Sequence, residues 1–341
     1  MRAVSNPPNP FAHHSLEWDG PEPPAELQLF EEHARSVLSR NDSPDIGFEY
    51  SLNPYRGCFH ACAYCYARPT HQYLDFGAGT DFDRKIVVKV NAPERLREAF
   101  KKPSWAGRPL VFSGNTDPYQ PIEAHYELTK RCLEVCAEFK NPVYIITKSK
   151  LVRRDAALLG RLAREADARV AVSIPFASDA DARLIEPFAS PPSKRFETLR
   201  VLHEEGVPTT VSLAPTIPGL NDAQIPEILE RAREAGADKA FMTLVRLARE
   251  VRPVFEQRLR EAFPQRADKV LRHLANMREG QSGRFHERMR GEGQHYQLVE
   301  QLFRKTAQRL GYDLHDGVRP LGPSPFARPI EPRRQLALFE S

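Results

Sequence analysis

The segment Tyr55-Arg56-Gly57-Cys58-Phe59-His60-Ala61-Cys62-Ala63-Tyr64-Cys65-Tyr66 carries three cysteines spaced Cys-x3-Cys-x2-Cys. Thiolates are soft ligands, and three so close together select an iron-sulfur cluster or zinc over oxygen-loving cations. A structural zinc site is closed by four ligands. The other two cysteines, Cys132 and Cys136, lie far along the chain, which leaves His60 as the nearby candidate for a fourth. A 4Fe-4S cube held by three cysteines instead leaves one iron open, and an open iron can bind and activate a ligand. The residues alone permit both readings.

Five cysteines in 341 residues, three of them clustered, do not make a secreted disulfide framework. No apolar stretch approaches the roughly 18 to 20 residues that cross a bilayer, and Met1-Arg2-Ala3-Val4-Ser5 lacks the apolar region of a signal peptide. A cytoplasmic protein with no membrane partner is therefore expected. The net charge of +4 permits an anionic substrate, but a solvated Arg-rich surface gives the same total.

The elements that must position the cysteines are expected after a proline-rich arm, residues 1–45, too rich in Pro for helices or central strands. From Phe48 onward short β-branched runs alternate with amphipathic segments. The strand candidates are Ile86–Val90, Leu110–Phe112, Val143–Ile146, Val170–Ile174, Thr210–Leu213 and Ala240–Leu244, with helices predicted over Leu128–Phe139, Ala156–Ala166, Phe196–Glu205 and Ile225–Glu234. Repeated βα units predict an α/β fold with a parallel sheet, open or closed into a barrel, over residues 46–248. A ligand then sits at the C-terminal ends of the strands, where Ser113-Gly114-Asn115-Thr116-Asp117, Lys148-Ser149-Lys150 and Pro215-Thr216-Ile217-Pro218-Gly219 fall. A charged helical extension is expected over 249–316 and a flexible tail over 317–341, which holds five prolines.

The cysteine motif, with Tyr64 before the third cysteine, resembles the signature of the radical S-adenosylmethionine (radical SAM) superfamily. That resemblance implies a partial (β/α)6 TIM-like barrel in which Cys58, Cys62 and Cys65 hold a 4Fe-4S cluster. The open iron of such a cluster chelates S-adenosyl-L-methionine, and an electron from a cellular donor cleaves the cofactor to a 5'-deoxyadenosyl radical. Within the superfamily, Thr116-Asp117-Pro118, Thr147-Lys148-Ser149, Ser173 and the loop Ala214 to Asp222 are similar to the spore photoproduct lyase-like, DNA repair photolyase-related group, and more finely to an uncharacterised bacterial subgroup. The likeness implies Tyr64 near the adenine, Thr116 and Asp117 at the cofactor's polar groups, Lys148 and Ser173 at its carboxylate and ribose, and Tyr66 as a hydrogen donor or radical conduit. The chain departs from the lyase at Gly114, where the lyase carries its hydrogen-donating cysteine. The substrate this implies is DNA or a DNA-associated molecule; a peptide or small molecule, or a non-catalytic metal-binding module, are the alternatives.

Several other residues have structural readings beside functional ones. Cys132 and Cys136 are expected as buried apolar thiols on one helix face. His71 is expected as a hydrogen-bonded or surface histidine, and Glu123 as a helix-start carboxylate serving the dipole. The run Lys148 to Arg154 either contacts phosphates or is solvated, and Arg284 to Gly293 is either a substrate loop or a plain connection. Finally, Gln335, Leu336, Leu338 and Phe339 at the C-terminus resemble the peptide by which bacterial DNA polymerases and repair proteins dock on the sliding clamp.

Overall fold

The computed structural model describes residues 26–247, 249–277, 291–314 and 322–329. Its strands are β1 (Gln28–Glu32), β2 (Leu38–Arg40), β3 (Tyr50–Leu52), β4 (Tyr55–Arg56), β5 (Lys85–Lys89), β6 (Leu110–Phe112), β7 (Val143–Thr147), β8 (Ala168–Ser173), β9 (Thr209–Thr216) and β10 (Lys239–Leu244). The helices are α1 (Thr80–Arg84), α2 (Ala92–Lys101), α3 (Glu123–Tyr126), α4 (Leu128–Glu138), α5 (Ala156–Ala166), α6 (Asp179–Ile185), α7 (Pro192–Glu204), α8 (Ile225–Glu234), α9 (Val251–Ala262), α10 (Ala267–Asn276) and α11 (Gly293–Arg309).

Strands β3, β6, β7, β8, β9 and β10 lie side by side in that order, all parallel, with β2 antiparallel on the β3 edge. This is the expected radical SAM α/β arrangement, a sheet that is not closed by a β3–β10 pairing. Alternation along the strands sorts the residues. Val143 and Ile145, Val170 and Val172, and Val211 and Leu213 join the main core with Leu159 and Leu162 of α5 and Leu199 and Leu202 of α7. Burying each such side chain contributes about 1.5–3 kcal/mol. On the alternate positions Tyr144 and Ser212 are buried, while Ile146, Ala171, Thr210 and Phe241 are half-buried, so the inner face is less fully packed than the helix-covered one. Among the described residues no helix is long and apolar enough to cross a membrane.

Three expectations need correction. Ile86–Val90 is no barrel strand: β5 belongs to a separate sheet of order β1-β5-β4, where Ile86 and Val88 pack on Tyr55, Ile122 and Leu128. The segment expected as an arm contains β1 and β2, because the stretch from Glu26 to Asp42 is free of proline and pairs along two existing edges. Part of the expected tail, residues 322–329, is docked. Phe326 stacks on Phe139 at 6.0 Å, Ala327 N–H donates to the Phe139 carbonyl at 2.9 Å, and Arg328 donates to the carbonyls of Phe100, Lys102 and Trp105.

Candidate active site

The cysteine loop follows β4 and is fixed from several sides. Cys58 N–H donates to the Phe82 carbonyl at 3.0 Å, while the Gly57 carbonyl accepts from Thr116 Oγ1 at 2.6 Å and Gln120 Nε2 at 3.1 Å. Gln120 also accepts the Phe59 N–H at 2.9 Å. Beneath the loop Arg68 is 1% exposed and donates to the Cys62 carbonyl through Nε and Nη2, to the Ala78 and Gly79 carbonyls through Nη1, and to Asp83 at 2.9 Å. A guanidinium so buried is tolerated because its donors are occupied.

Asp117, at the end of the loop after β6, ties three segments together. Its Oδ1 accepts from Thr147 Oγ1 at 2.7 Å and Tyr119 N at 2.9 Å, its Oδ2 accepts from Lys148 N at 2.7 Å, and His60 Nδ1 lies 3.4 Å from Oδ2. Burial would raise this carboxyl, but His60, the Lys148 amide and the Thr147 hydroxyl hold it below the usual carboxylate range. For His60 burial acts downward, and Asp117 and Cys58 outweigh it, lifting the imidazole to about 10. The cysteine loop thus carries a cationic histidine whose ring is engaged by Asp117 and Cys58.

The three thiols lie near one another. Burial pushes Cys65 up to about 11, with the Cys58 sulfur adding to it, and Cys62 rises well above the ordinary thiol value through burial and Glu186 while Lys148 pulls it down. Lys148 is itself lowered by burial and drawn up by Cys62, so its ammonium lies within electrostatic reach of that thiol; Nζ stands 5.7 Å from the centre of the Tyr64 ring. The Tyr64 hydroxyl donates to buried Glu186, which is also bound by Arg195. Arg195 Nη1 reaches the Ser173 carbonyl at 2.9 Å. Tyr64, Glu186, Arg195 and the end of β8 are therefore one buried unit.

Tyr66 stands at the same end of the sheet, 63% exposed, with its hydroxyl donating to the Gly114 carbonyl at 2.9 Å. Asn53 Oδ1 accepts from the Gly114 and Asn115 amides at 2.8 and 2.9 Å. These bonds hold Ser113 at φ 132°, a conformation an L residue rarely adopts.

The model of the radical SAM superfamily matches residues 52–232, more than half of the chain. The chain belongs to the radical SAM superfamily. It is 38% identical over 194 residues to an uncharacterised protein of Mycobacterium tuberculosis, a match covering 56% of this chain and 57% of that one, so it spans little more than half the relative's length. A radical SAM Nalpha-GlyT isomerase of a Pseudomonas phage is 26% identical over 261 residues, 76% of this chain and 51% of that one. Among solved structures, a variant of spore photoproduct lyase with bound AdoMet and dinucleoside spore photoproduct superposes with a TM-score of 0.60 at 17% identity, covering 85% of this chain and 82% of that one. That likeness shows the fold. Membership of this family implies an iron-sulfur cluster and S-adenosylmethionine.

The residues fit such a group. Cys58, Cys62 and Cys65 lie on one loop, Cys65 packing in one cluster with Cys58 and in another with Cys62, and burial first and the neighbouring thiols after it raise the proton affinity of Cys62 and Cys65, so a polycation that replaces protons is favoured there. Among the described residues no three His, Cys, Asp or Glu side chains converge as ligands of a single ion do. A cluster with one iron per thiolate does not require that convergence.

Cys58, Cys62, Cys65, Tyr64, Tyr66, Thr116, Asp117, Lys148 and Ser173 all fall at one end of the sheet. Thr116 and Asp117 are occupied with the protein itself, however, and serve first to lock the cysteine loop to β6 and β7. Sequence reasoning missed Asn53, Arg68, Glu186 and Arg195 as parts of the site; they act by burial and long-range hydrogen bonds, which leave no spacing signature. Glu123 does serve a dipole, but that of the following helix: it accepts from Thr129 N at 2.9 Å and Lys130 N at 3.2 Å at the start of α4, and binds Arg154 at 2.7 Å. Arg153 and Arg154 are engaged by Glu197, Glu123 and Asp155, which removes them from phosphate contact. His71 is buried, with Nε2 donating to the Lys85 carbonyl at 2.8 Å, and Cys132 and Cys136 are fully buried in the core. Arg284–Arg290 and the C-terminal residues Gln335, Leu336, Leu338 and Phe339 lie outside the described residues.

Proposed function

We propose that this enzyme carries a 4Fe-4S cluster on Cys58, Cys62 and Cys65 and performs a hydrogen-abstraction reaction on a nucleic acid. The observation that carries the reading is the placement of three cysteines on one loop at the C-terminal end of the parallel sheet, Cys65 packed with both Cys58 and Cys62, with the Lys148 ammonium within electrostatic reach of Cys62 and Cys65. Cluster and S-adenosylmethionine, when bound, supply the one-electron chemistry. The chain's own residues supply the rest. Lys148 offers the positive charge that a cofactor carboxylate needs, and Tyr64 and Ser173 frame the side of the pocket backed by Glu186 and Arg195. Tyr66, exposed over the mouth, is placed to return a hydrogen atom to the substrate where Gly114 cannot. The nucleic-acid reading draws on the fold shared with spore photoproduct lyase, whose structure holds a dinucleoside spore photoproduct.

The C-terminal Gln335-Leu336-Ala337-Leu338-Phe339 supports a second part of the reading, docking on the bacterial sliding clamp, with Leu336, Leu338 and Phe339 as apolar anchors and Gln335 as the specificity element. A peptide covering residues 330–341 should bind the clamp, and the same peptide with Leu338 and Phe339 changed to Ala should not.

Anaerobic reconstitution with iron and sulfide, then dithionite and S-adenosylmethionine with and without DNA, tests the whole. The expected result is a brown protein that forms 5'-deoxyadenosine faster with DNA. A colourless protein or absent cleavage overturns the cluster reading; DNA-independent cleavage with no DNA binding moves the substrate to peptides or small molecules.

A further inference from the structure

The small sheet beside the cysteine loop carries two cations without a partner. Ile86, Val88 and Tyr55 face its apolar side, so alternation puts Lys85, Val87 and Lys89 of β5 on the other side. Arg56 lies directly opposite Val87 in the antiparallel β4–β5 pair and shares that side, diagonal to Lys89, within reach of two long side chains. Lys89 is 8% exposed. Lysines are almost never so buried unless paired. Yet among the described residues neither the Lys89 ammonium nor the Arg56 guanidinium has a hydrogen bond or an ion pair with the protein. Glu32 stands in register with Lys89 on β1 but beyond ion-pair distance, whereas neighbouring Lys85 is matched by Asp81 at 3.0 Å.

The two charges sense each other. Burial first and Arg56 second depress Lys89 to about 8, against Glu32, and Arg56 also helps to lower His71. A desolvated ammonium next to a guanidinium is costly to maintain, and an anion between them removes the cost. The fully sealed, unpartnered side-chain atoms among the described residues are His71 Nδ1, Arg95 Nε and Ser212 Oγ; the Lys89 ammonium is not one of them and keeps some contact with solvent.

We propose that Arg56 and Lys89 form a phosphodiester-binding site on the flank of the barrel mouth, two residues before Cys58, where a nucleic-acid backbone is held while its base enters the mouth. The anion site stands on the unpaired cations. Its assignment to a nucleic-acid backbone rests on the nucleic-acid reading above. Aromatic side chains share that side of the sheet, as single-strand binding surfaces require: Phe30, in register with Val87 and 40% exposed, lies 5.4 Å from Phe76, and the neighbouring Lys85 ammonium is 5.0 Å from the centre of the Phe76 ring. An acidic peptide would use the same charges but gains nothing from exposed ring faces.

The test is fluorescence anisotropy of the full chain with a short labelled single-stranded oligonucleotide across a salt series. Lys89→Gln and Arg56→Gln should each weaken binding several-fold and reduce the log–log salt slope by about 0.7 for every phosphate that is no longer neutralised, while Lys89→Arg keeps wild-type behaviour. A parallel thermal melt compares inorganic phosphate with chloride at equal ionic strength; phosphate should stabilise the wild type and not Lys89→Gln, which also reports whether the variant folds. Oligonucleotide binding with unchanged affinity and slope in both Gln variants overturns the site and spares the nucleic-acid reading. Phosphate stabilisation that depends on Lys89, without oligonucleotide binding, keeps the anion site and overturns the nucleic-acid reading. Tight binding of an acidic peptide in place of the oligonucleotide overturns the phosphodiester assignment.

Discussion

Tyr66 donates its hydroxyl hydrogen to the carbonyl of Gly114 at 2.9 Å, across 48 residues of chain, and so stands at the position from which a thiol is missing. Tyr66→Phe keeps the ring and all three cysteines but removes the O–H. Iron content and cofactor cleavage should stay near wild type, while product formation falls by about 10²-fold or more, the usual range for losing a proton- or hydrogen-transfer group. Quantifying 5'-deoxyadenosine and product together would check this, and equal losses in both would place Tyr66 in cofactor binding instead.

Gly114 is required by space. A Cβ there would meet Asn53 Nδ2 and Ser51 Oγ at 2.9 Å each, and Asn53 is the residue that holds the Gly114 and Asn115 amides. Gly114→Cys should therefore fail to restore lyase-like hydrogen donation and should cost about 1–3 kcal/mol through overpacking. Chemical denaturation of Gly114→Ala and Gly114→Cys measures it, and a pair of wild-type midpoints would show that the loop yields.

Replacing Cys58, Cys62 or Cys65 by Ala should abolish iron binding, since each removes a thiolate that nothing nearby replaces. Cys132→Ala and Cys136→Ala should keep full iron and lose on the order of 1 kcal/mol from small cavities under α4. Iron analysis beside a thermal melt separates the two classes.

His71 gives a pH dependence with a definite sign. Burial holds its imidazole down at about 4 from 6.5, so between those values the unfolded chain binds a proton that the native chain does not. Stability should therefore rise with pH across that window, and on acidification about 3 kcal/mol is lost by the time pH falls below 4. His71→Phe, packed between Phe76 and Phe82, should be less stable near neutrality through loss of the bond to the Lys85 carbonyl, but its stability should vary less from pH 6.5 to 4 than the wild type's. Parallel slopes for the two proteins would rule out a buried neutral imidazole.

Strands β7, β8 and β9 were legible because they put β-branched residues into the core, and β6 and β10 because short apolar runs stand between helical patterns. β3 has only three residues and was visible only as whatever precedes the cysteines. Ile86–Val90 carries the same composition as a barrel strand, and only its pairing with β4 and β1 separates it. The three cysteines were legible because short spacing is itself a signal for soft-metal ligation. Arg195 and Glu186 were not, because a fully buried ion pair looks in sequence like two ordinary surface charges. Lys89 hid for the same reason: a lysine at the end of a strand reads as solvated until its burial is known.

The docked segment Gly322–Pro329 also escaped, because proline content speaks against helices and strands but not against an extended strap laid on a ready surface. Its seat is Gly107, at φ +65°, where a Cβ would fall 2.2 Å from Phe326 Cβ and 2.6 Å from Ser324 Oγ. Phe326 also meets Phe100 edge-on at 5.8 Å. All these contacts lie before β6 and β7, at the end of the sheet opposite the cysteine loop. Phe326→Ala should release it at a local cost on the order of 1–2 kcal/mol, because aromatic packing supplies most of its apolar contact. Hydrogen exchange at the Ala327 amide, which donates to the Phe139 carbonyl, should then quicken about tenfold while the strand amides of β7 and β8 keep their protection. Gly107→Ala should have the same effect by blocking the seat without touching the strap. Unchanged exchange at Ala327 in both variants would mean that Arg328, through its three carbonyl partners, holds the strap alone, and Arg328→Ala would then be the variant that frees it.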